Sequence, residues 1–554
     1  MVKSTHQLLI SLRHKHEIKV FNNYISTRIE FSSDVIVNFI NMKSRYLTII
    51  GIETHVQIKT ATKMFCRCST DFWQKDPNTH VCPVCLGLPG AMPKANIEAI
   101  KKALMIGLAL NGNMREVSKF DRKNYFYPDL AKGFQISQYD LPFSEDGWVT
   151  IEVKSDERHA SQVSEGEPRF QRAKRGEQMI SKKIELTRAH LEEDTGKLTH
   201  VGDLTLIDFN RSGVPLMEIV TEPVMHSAQE AKTYAQKLRR IVRYLGVSDA
   251  DMEKGSMRVE PNVSLSRDGK LPGYKVELKN INSFKFVEKA VEFEIKRQAE
   301  ILDKGETPVT ETRGWDENKN KTVSQRTKES ASDYRYFPEP DLPAINFDND
   351  YLKSIKDNLP ELPDKKLKRF ENVYGLSIYD AAILTGDLEV ADWYEGATKA
   401  FAQTDKKGTV DKVGKSEAKL VANWVIGEVL RFLNDKNLWI SDLKAQPAHL
   451  AEVLYLIDKG EITQAVAKQI LPSVLSTGKA VKKTIADLGI IKMDDSQVEG
   501  AVTQAIKDNP KAVDDFKAGK TASLQFLVGQ VQRLTRGQAD VNLVRKLVEE
   551  KLKS

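Results

Sequence analysis

The sequence predicts an α+β protein in which a region of mixed strands and helices precedes an all-helical C-terminal region. Two observations lead to this prediction. Residues 46–342 alternate β-branched strand patterns with amphipathic helical patterns, whereas strand patterns disappear beyond them. The chain has 554 residues, 40% of them hydrophobic and 29% charged, which is typical of a soluble globular protein. This length is enough for about two to four domains.

The elements of the first region follow in order from local patterns. β-branched content with alternation predicts strands, and apolar residues three or four apart predict helices. Ser227, with Glu230 three residues later, forms a capping box at one helix start. These patterns predict a strand over 47–58, a helix over 96–110, a polar surface loop over 154–181, a strand over 182–191, and helices over 228–245 and 283–304.

Changes in composition divide the chain into four predicted segments. A hinge-like, proline-rich stretch covers residues 359–366, and the polar stretch 404–414 is suited to a linker. Beyond it, short helical patterns are separated by glycines. We therefore predict an N-terminal extension over 1–45 without a role in the fold, a mixed domain over 46–344, a helical linker domain over 345–405 and a helical tail over 406–554.

The N-terminal residues bear on the expected location of the protein. Charged residues interrupt every apolar stretch there, which excludes a secretory signal, and Glu17, Glu30 and Asp34 are atypical of a mitochondrial presequence. No apolar run approaches the roughly 20 residues that a membrane-spanning helix needs. We therefore expect a cytoplasmic protein, with the mitochondrial matrix as the alternative.

The net charge is concentrated at the C-terminal end. Residues 406–554 contain 24 Lys and Arg and 18 Asp and Glu, so the whole formal charge of +6 lies there and residues 1–405 are neutral in sum. A basic tail on a neutral body indicates a polyanionic partner. Ordinary lysine-rich helix surfaces are the alternative.

All four cysteines of the chain lie within twenty residues. They form two short arms, Cys66 with Cys68 and Cys82 with Cys85, joined by a thirteen-residue loop. Four thiolates are the ligand set of a closed, structural Zn²⁺ site, with no open position for catalysis. The sequence therefore predicts a structural zinc knuckle over 66–85. A pair of disulfides and four unligated thiols are the alternatives.

Glu53 and His55 lie two residues apart on the first predicted strand. Residues at this spacing point to the same face, so a carboxylate and an imidazole are presented side by side. This pairing is typical of a metal site or of acid–base chemistry. A salt link on the strand surface is the alternative.

Three consecutive acids, Glu192, Glu193 and Asp194, follow the predicted strand over 182–191. Carboxylates are costly to gather unless a cation holds them, and Mg²⁺ prefers carboxylate oxygens while keeping waters for phosphate exchange. Arg188 and Lys197 flank the acids and are suited to phosphate binding. A solvated acidic turn is the alternative.

Further charged residues are placed in apolar surroundings. Glu218 and Glu277 have the placement of partly buried, paired carboxylates, although each alone is also explained by a structural salt bridge. Together with His55, Arg211, Arg258 and Lys279 they describe a nucleotide site built on a sheet. The sequence has neither a P-loop nor a kinase-type glycine loop, which argues against ATP binding by those routes.

Two segments interleave aromatic residues with basic ones. These are residues 120–139 and residues 333–341. Such segments stack bases and contact phosphates in nucleic-acid-binding proteins, and they also occur as packed core edges. For most rings of the second segment we expect packing.

Several long motifs occur together and in one order. They include Gly51-Ile-Glu-Thr-His-Val-Gln, Cys82-Pro-Val-Cys-Leu-Gly-Leu-Pro-Gly, Phe120-Asp-Arg-Lys-Asn-Tyr-Phe-Tyr-Pro-Asp, His190-Leu-Glu-Glu-Asp-Thr-Gly-Lys and Asn210-Arg-Ser-Gly-Val-Pro-Leu-Met-Glu. Others are Glu277-Leu-Lys-Asn-Ile-Asn-Ser-Phe, Asp333-Tyr-Arg-Tyr-Phe-Pro-Glu-Pro-Asp-Leu and, in the tail, Gly519-Lys-Thr-Ala-Ser-Leu-Gln-Phe-Leu-Val-Gly. From about residue 46 to the C-terminus, the chain resembles the B subunits of the tRNA-dependent aspartyl/glutamyl amidotransferases.

The resemblance implies a fold and an activity. It implies an antiparallel-sheet cradle of the glutamine synthetase/guanido kinase type, followed by a YqeY-like helical tail that contacts tRNA. It implies a carbon–nitrogen ligase (EC 6.3.5.-) that uses ATP and Mg²⁺ to phosphorylate the side chain of Glu-tRNA(Gln) or Asp-tRNA(Asn). Ammonia released from glutamine by an amidase A subunit then gives Gln-tRNA(Gln) or Asn-tRNA(Asn). A small C subunit wraps the A–B pair.

The resemblance also implies roles for individual residues. Mg²⁺ is expected at Glu53, His55, Glu277 and one of Glu192 and Glu193, and these five residues form the expected catalytic set. The nucleotide phosphates are expected at the four basic residues Arg188, Lys197, Arg211 and Lys279. The chain has Arg258-Val-Glu260-Pro-Asn262 where the family usually has Asp in place of Glu260, so a ligand role for Glu260 is not expected.

Two other functional interpretations remain. The archaeal relative of this subunit carries an inserted domain, and 554 residues without a break between sheet region and tail argue against it. A zinc-stapled tRNA-binding scaffold without catalysis is the alternative from a different class. The choice between Glu-tRNA(Gln) and Asp-tRNA(Asn) is open.

Overall fold

A computed structural model describes residues 45–154, 169–171, 178–327, 334–404, 414–490 and 493–553. The predicted N-terminal extension and most of the predicted linker at 404–414 lie outside these residues. The chain divides into two compact units, residues 1–359 and 360–554. The predicted boundaries at 45, 344 and 405 stay predictions.

The first unit is built on a ten-stranded sheet. Its strands are β1 (Leu47–Gln57), β2 (Asn113–Met114), β6 (Ser144–Lys154), β7 (Arg169–Gln171), β8 (Gln178–Glu193), β11 (Pro215–Thr221), β12 (Met257–Ser266), β13 (Val276–Lys279), β14 (Glu311–Asp316) and β15 (Lys321–Thr327). The order is β15-β14-β13-β12-β1-β11-β8-β6-β2, with β7 also paired to β8. Its pairings are antiparallel except for that between β13 and β14.

Three small sheets accompany the large one. They use β3 (Val117–Ser118), β4 (Asp121–Asn124), β5 (Phe134–Ser137), β9 (Lys197–Val201), β10 (Leu204–Asp208), β16 (Phe337–Pro338) and β17 (Ile345–Asn346). The orders are β10-β9, β16-β4-β5 and β17-β3. The four helices described in this unit are α1 (Ile97–Ala109), α2 (Ala228–Tyr244), α3 (Phe284–Asp303) and α4 (Asn349–Asp357).

The side-chain alternation of β1 separates the core from the candidate site. Ile50, Ile52, Thr54 and Val56 are all at most 1% exposed. Helices α2 and α3 pack against each other, and α2 also contacts β1, β6 and β12. Because successive strand residues point to opposite faces, Glu53 and the other odd-numbered residues point away from this buried row.

Most predicted elements of the first unit are confirmed. The strand over 47–58 is β1, the helices over 96–110, 228–245 and 283–304 are α1, α2 and α3, and the strand over 182–191 lies within β8. The Asn96 and Ser227 side chains cap α1 and α2. The predicted loop over 154–181 is wrong where β7 and the first residues of β8 lie. The two strands pair with each other in antiparallel register, and residues 155–168 and 172–177 of the predicted loop lie outside the described residues.

The second unit is helical throughout its described residues, as predicted. It contains α5 (Pro363–Tyr374), α6 (Ile378–Leu384), α7 (Leu388–Thr404), α8 (Lys415–Trp424), a π-helical turn (Val425–Val429), α9 (Leu430–Lys436), a 3₁₀ turn (Ile440–Asp442), α10 (Pro447–Asp458), α11 (Gln464–Thr477) and α12 (Val481–Asp487). It ends with α13 (Asp495–Asp508), α14 (Pro510–Lys517), α15 (Ala522–Leu534) and α16 (Val541–Lys553). In the parts of the chain that the structure covers, no helix is both long and apolar enough to cross a bilayer.

Two apolar cores hold these helices. The larger runs from Phe370 to Val481 and therefore includes residues on both sides of the predicted boundary at 405. The smaller joins Val498, Val502, Leu527 and residues of α16. The C-terminal helices from α13 onward thus have a core of their own.

Candidate active site and cysteine cluster

The register of the central strands brings charged residues from distant parts of the chain side by side. His55 of β1 is opposite Glu218 of β11, which is opposite His190 of β8. On the other side of β1, Glu53 is opposite Glu260 of β12. The candidate site is therefore a product of sheet pairing.

The first group, here called the His55 cluster, consists of His55, Glu192 and Glu218. One ligand atom of each lies within 4.8 Å of the others. His55 Nε2 is 3.7 Å from Glu218 Oε2 and 3.8 Å from Glu192 Oε1. The His190 Nε2 atom is 3.2 Å from Glu218 Oε2 and 3.7 Å from Glu192 Oε2. Two buried carboxylates thus share two imidazoles.

The two carboxylates of the His55 cluster remain ionised despite their burial. Burial raises the pKa of Glu218, but His190 and His55 outweigh it and hold that pKa well below its usual value. Burial lowers the pKa of His55, but the hydrogen bond and charge of Glu218, with Glu260 and Glu192, raise it to about 9. Lys123, close to the same acids, has a pKa above its usual value because Glu192 and Glu218 outweigh its burial. The two ionised carboxylates are therefore balanced by positively charged neighbours, His55, His190 and Lys123.

The second group, here called the Glu53 cluster, consists of Glu53, Glu260 and Glu277. Their nearest carboxylate oxygens also lie within 4.8 Å of one another. Lys279 Nζ is 2.8 Å from Glu260 Oε2 and 3.2 Å from Glu277 Oε1. Asn262 donates from Nδ2 to Glu53 Oε1 at 3.0 Å. Burial, and then the charges of Glu218 and Glu277, raise the pKa of Glu53.

Glu260 was not expected at the site, yet the structure places it in the Glu53 cluster. It is directly opposite Glu53 in the β1–β12 pairing, which brings the two side chains to one face. The side chain of Glu is one methylene longer than that of Asp, which lengthens the reach of Glu260 towards Glu53 and Glu277. The predicted Mg²⁺ residues are thus divided between two clusters, with His55 and Glu192 in one and Glu53 and Glu277 in the other.

Of the three consecutive acids, only Glu192 belongs to a cluster. Glu193 accepts from Lys132 Nζ at 2.6 Å and from the Ile136 amide at 3.0 Å. Asp194 accepts from both terminal nitrogens of Arg258 at 3.1 Å. Although burial raises the pKa of Asp194, the charge of Arg258 holds that pKa well below its usual value. Glu193 and Asp194 therefore have basic partners of their own.

The four predicted phosphate contacts have different surroundings. Lys279 contacts two acids of the Glu53 cluster, and Lys197 is exposed at the start of β9. Arg211 donates to the carbonyl oxygens of Thr195 at 2.9 Å and Gly196 at 2.7 Å, so it holds the turn after β8. The buried Nε of Arg188 has no hydrogen-bond partner among the described residues. A buried donor without a partner is unfavourable, which distinguishes Arg188 from the other three basic residues.

A cavity of about 420 Å³ opens beside the Glu53 cluster. The polar residues in its wall include Glu53, Asn262 and Lys275, and the rest is largely apolar. A cavity with an apolar wall and a few convergent polar groups is typical of a small-molecule site. Its residues come from separate strands and loops, so no single local motif identifies the whole set.

The aromatic and basic segments mostly pack against each other. Arg122 forms two hydrogen bonds with the buried Glu339 carboxylate, and its guanidinium lies 4.4 Å from the centroid of Phe134. Phe120 is buried and packs edge-on against Phe65. Phe126, by contrast, is 83% exposed and retains a free ring face. Packing therefore accounts for most of these rings.

The cysteine cluster, Cys66, Cys68, Cys82 and Cys85, is brought together as predicted. All four are free thiols, and their sulfurs lie within 4.8 Å of one another. A tetrahedron with Zn–S bonds of about 2.3 Å separates its sulfurs by about 3.8 Å. The Cys82 and Cys85 sulfurs are 3.9 Å apart. The residues fit a structural metal ion, and the disulfide alternative is not formed.

Comparisons with known proteins agree with the expected family. Residues 48–353 match the GatB/GatE catalytic domain, and residues 408–552 match the GatB domain. The B subunit of the aspartyl/glutamyl-tRNA(Asn/Gln) amidotransferase of Carboxydothermus hydrogenoformans is 45% identical over 514 residues, covering 92% of this chain and 99% of the relative. The protein of the same name from Thermotoga neapolitana is 44% identical over 517 residues, covering 92% and 99%. The chain belongs to the family of aspartyl/glutamyl-tRNA(Asn/Gln) amidotransferase B subunits.

Proposed function

We propose that this chain is the catalytic B subunit of a tRNA-dependent amidotransferase. It phosphorylates the side-chain carboxylate of Glu-tRNA(Gln), Asp-tRNA(Asn) or both, and it then exchanges phosphate for ammonia. The chain spans nearly the whole length of relatives that are named for this amidotransferase. The observation that carries the proposal is the pairing of β1 with β11 and β12, which sets two acidic clusters on adjacent strands.

The reaction needs two steps because a carboxylate is a poor acyl donor. In the first, a side-chain carboxylate oxygen of the aminoacyl group attacks the γ-phosphorus of ATP, and the bond to the β-phosphate oxygen breaks with release of ADP. In the second, ammonia attacks the carbonyl carbon of the acyl phosphate, inorganic phosphate leaves, and a proton is lost from nitrogen. Positioning and charge neutralisation are the main contributions that a protein makes to phosphoryl transfer.

The two clusters supply these contributions. His55, Glu192 and Glu218 would hold one Mg²⁺, and Glu53, Glu260 and Glu277 would hold another. Mg²⁺ supplies neutralisation of the charge on the phosphate oxygens. The donors fit a hard cation because the acids of the His55 cluster stay ionised and two of the Glu53 cluster already hold the ammonium of Lys279.

Basic residues around the clusters would orient the phosphates. Arg188 has a buried donor without a partner among the described residues, and Lys279 already lies between two site carboxylates. The cavity beside Glu53 is of a size and apolar character suited to the nucleoside of ATP. Arg211 acts indirectly, because it fixes the turn that follows Glu192, Glu193 and Asp194. Lys197 is exposed, and its proposed contact with phosphate rests on the sequence prediction alone.

The remaining parts of the proposal concern partners. An amidase A subunit supplies ammonia, a small C subunit completes a heterotrimer, and the basic helical tail binds the tRNA. The tail proposal rests on the charge of residues 406–554 and on the match to the GatB domain. The cysteine cluster holds a structural Zn²⁺, and the complex works in the cytoplasm.

A single-turnover assay tests this function. The purified chain, with its A and C partners, is mixed with γ-labelled ATP, Mg²⁺ and Glu-tRNA(Gln) or Asp-tRNA(Asn). We expect phosphate release that requires the mischarged tRNA, and formation of Gln-tRNA or Asn-tRNA when glutamine is added. If tRNA binds while ATP stays intact, the chain is the non-catalytic scaffold.

A further inference from the structure

The buried side chain of Lys63 ends at the cysteine cluster. Lys63 is 0% exposed. Its Nζ donates to the Cys85 sulfur at 3.7 Å, to the His80 carbonyl oxygen at 2.7 Å and to the Phe209 carbonyl oxygen at 3.3 Å. An ammonium group has three donors and no acceptor, so this environment satisfies it fully.

A buried ammonium needs a negative partner as well as hydrogen bonds. Within the described ranges of the chain, no carboxylate lies within 4.0 Å of Lys63 Nζ, and its two carbonyl partners are neutral. The remaining partner is the sulfur of Cys85, which also accepts from the Cys82 amide at 3.2 Å. Cysteine binds Zn²⁺ as a thiolate, so Cys85 would supply the negative charge beside Lys63 when the metal is bound. Burial of an unpaired charge would otherwise be costly.

We propose that Lys63 is the counter-ion of the Cys₄ zinc site and that its charge keeps the metal bound. The inference rests on the structural zinc of the proposed function. Four thiolates around Zn²⁺ carry a net charge of about −2, and burial of such a charge is unfavourable without a cation nearby. Lys63 supplies one positive charge inside the protein, at a position where water cannot solvate the charge of the site.

Lys63 also joins the zinc site to the loop that precedes β11. Met64, the next residue, donates its amide to the Gly213 carbonyl oxygen at 2.7 Å, and the Gly213 amide donates to the Asp194 carbonyl oxygen at 2.9 Å. A Cβ atom on Gly213 would lie 3.5 Å from Lys63 Cδ and 3.6 Å from Cys85 Cβ. The loop therefore packs directly on the lysine and the cysteine. We expect the zinc-loaded site to hold this loop, and with it the end of β8.

Two neutral variants test the charge of Lys63, and an exposed lysine of the same segment is the control. Lys63→Met removes both charge and donors, whereas Lys63→Gln removes the charge but keeps polar hydrogen-bonding atoms. Lys59→Met is the matched control, because Lys59 is exposed. The full chain is purified, its zinc content is measured, and transfer of zinc to a chromogenic chelator is followed. We expect both Lys63 variants to lose zinc about 10- to 100-fold faster, as when other outer-shell partners of metal ligands are removed.

The outcomes separate this inference from the zinc proposal itself. A wild-type chain purified without zinc contradicts the zinc site and, with it, the role of Lys63. Zinc in the wild type, with unchanged release from Lys63→Gln, contradicts the role of Lys63 alone. Faster release from both Lys63 variants, with Lys59→Met unchanged, supports it.

A second measurement uses the wild-type chain, so that it does not depend on folding of the variants. Lysines are reductively methylated before and after zinc removal, and modified positions are mapped by mass spectrometry. We expect Lys63 to be protected in the zinc-loaded chain and modified after chelation, while Lys59 is modified in both. Modification of Lys63 in the zinc-loaded chain to the same extent as Lys59 would place its ammonium in solvent and overturn the proposal.

Discussion

Glu53 and His55 are two residues apart on β1, yet each faces a different acidic cluster. His55 Nε2 lies 3.7 Å from Glu218 Oε2 of β11, whereas Glu53 Oε1 accepts from Asn262 Nδ2 of β12 at 3.0 Å. The two residues therefore connect the strands on either side of β1 into one charged surface. The two clusters are also coupled, because Glu218 raises the pKa of Glu53 and Glu260 raises the pKa of His55.

Replacement of Glu53 by alanine should abolish phosphorylation while leaving tRNA affinity nearly unchanged. The variant loses one carboxylate of the Glu53 cluster, whereas the proposed tRNA contacts are in the helical tail. The measurements are ATP consumption dependent on mischarged tRNA and tRNA binding by filter retention. Glu185→Ala, at an exposed position of β8, serves as the control and should keep both properties. Equal loss of ATP consumption and tRNA binding in Glu53→Ala would contradict the assignment.

Binding of Mg²⁺ at neutral pH should release about one proton from His55. The charge of Glu218 helps to raise the pKa of His55 to about 9, so the free imidazole is protonated at pH 7. A histidine must be neutral to bind a metal, so Mg²⁺ and the proton compete. The affinity for Mg²⁺ should therefore rise as the pH increases from 7 to 9. Calorimetric titrations in buffers of different ionisation enthalpy measure the number of protons released.

A matched variant identifies the source of that proton. His55→Asn keeps a polar side chain but has no proton to lose in this range, so its calorimetric heat should be independent of the buffer. If the wild type also shows no buffer dependence, His55 does not bind Mg²⁺. The site would then contain a permanently charged imidazolium between Glu192 and Glu218.

Local sequence patterns predict strand β1 and helices α1, α2 and α3, because apolar periodicity and capping act over a few residues. They also predict that Glu53 and His55 share a face. They do not choose among Glu192, Glu193 and Asp194, because that choice depends on the pairing of β8 with β11. The position of Glu260 beside Glu53 depends in the same way on the pairing of β1 with β12, which are about two hundred residues apart in sequence. Strand register between distant segments is set by the assembled sheet, and no local pattern determines it.

Removal of metal should expose all four cysteines to alkylation together. The four sulfurs lie within 4.8 Å of one another and would share one Zn²⁺, so a single metal ion protects all of them. We expect slow reaction with iodoacetamide in the native chain and four reactive thiols after chelation, counted by mass spectrometry. Four reactive thiols without a chelator would contradict the zinc site. Two reactive thiols after chelation would indicate a smaller ligand set.

The second unit should lose stability as Glu395 is protonated. Burial raises the pKa of Glu395, but hydrogen bonds from Arg369 and Tyr374 outweigh it and lower the pKa to about 2. A carboxylate with a lowered pKa stabilises the fold above its unfolded pKa, and this contribution disappears as the pH falls through the folded value. The contribution of Glu395 should therefore be complete at pH 7 and decline between about 4.5 and about 2. It amounts to at most about 3 kcal/mol.

Glu395→Gln measures this contribution directly, because the amide keeps the size of the side chain and removes its charge. Arg369 Nη1 lies 2.6 Å from Glu395 Oε1, so the variant leaves a partly buried guanidinium with Glu361 as its one charged partner among the described residues. Urea unfolding followed by tryptophan fluorescence should show a lower free energy of unfolding for the variant at pH 7. The difference from the wild type should shrink as the pH falls below 4.5. A difference that stays constant down to pH 3 would mean that packing, and not the charge of Glu395, stabilises this part of the helical unit.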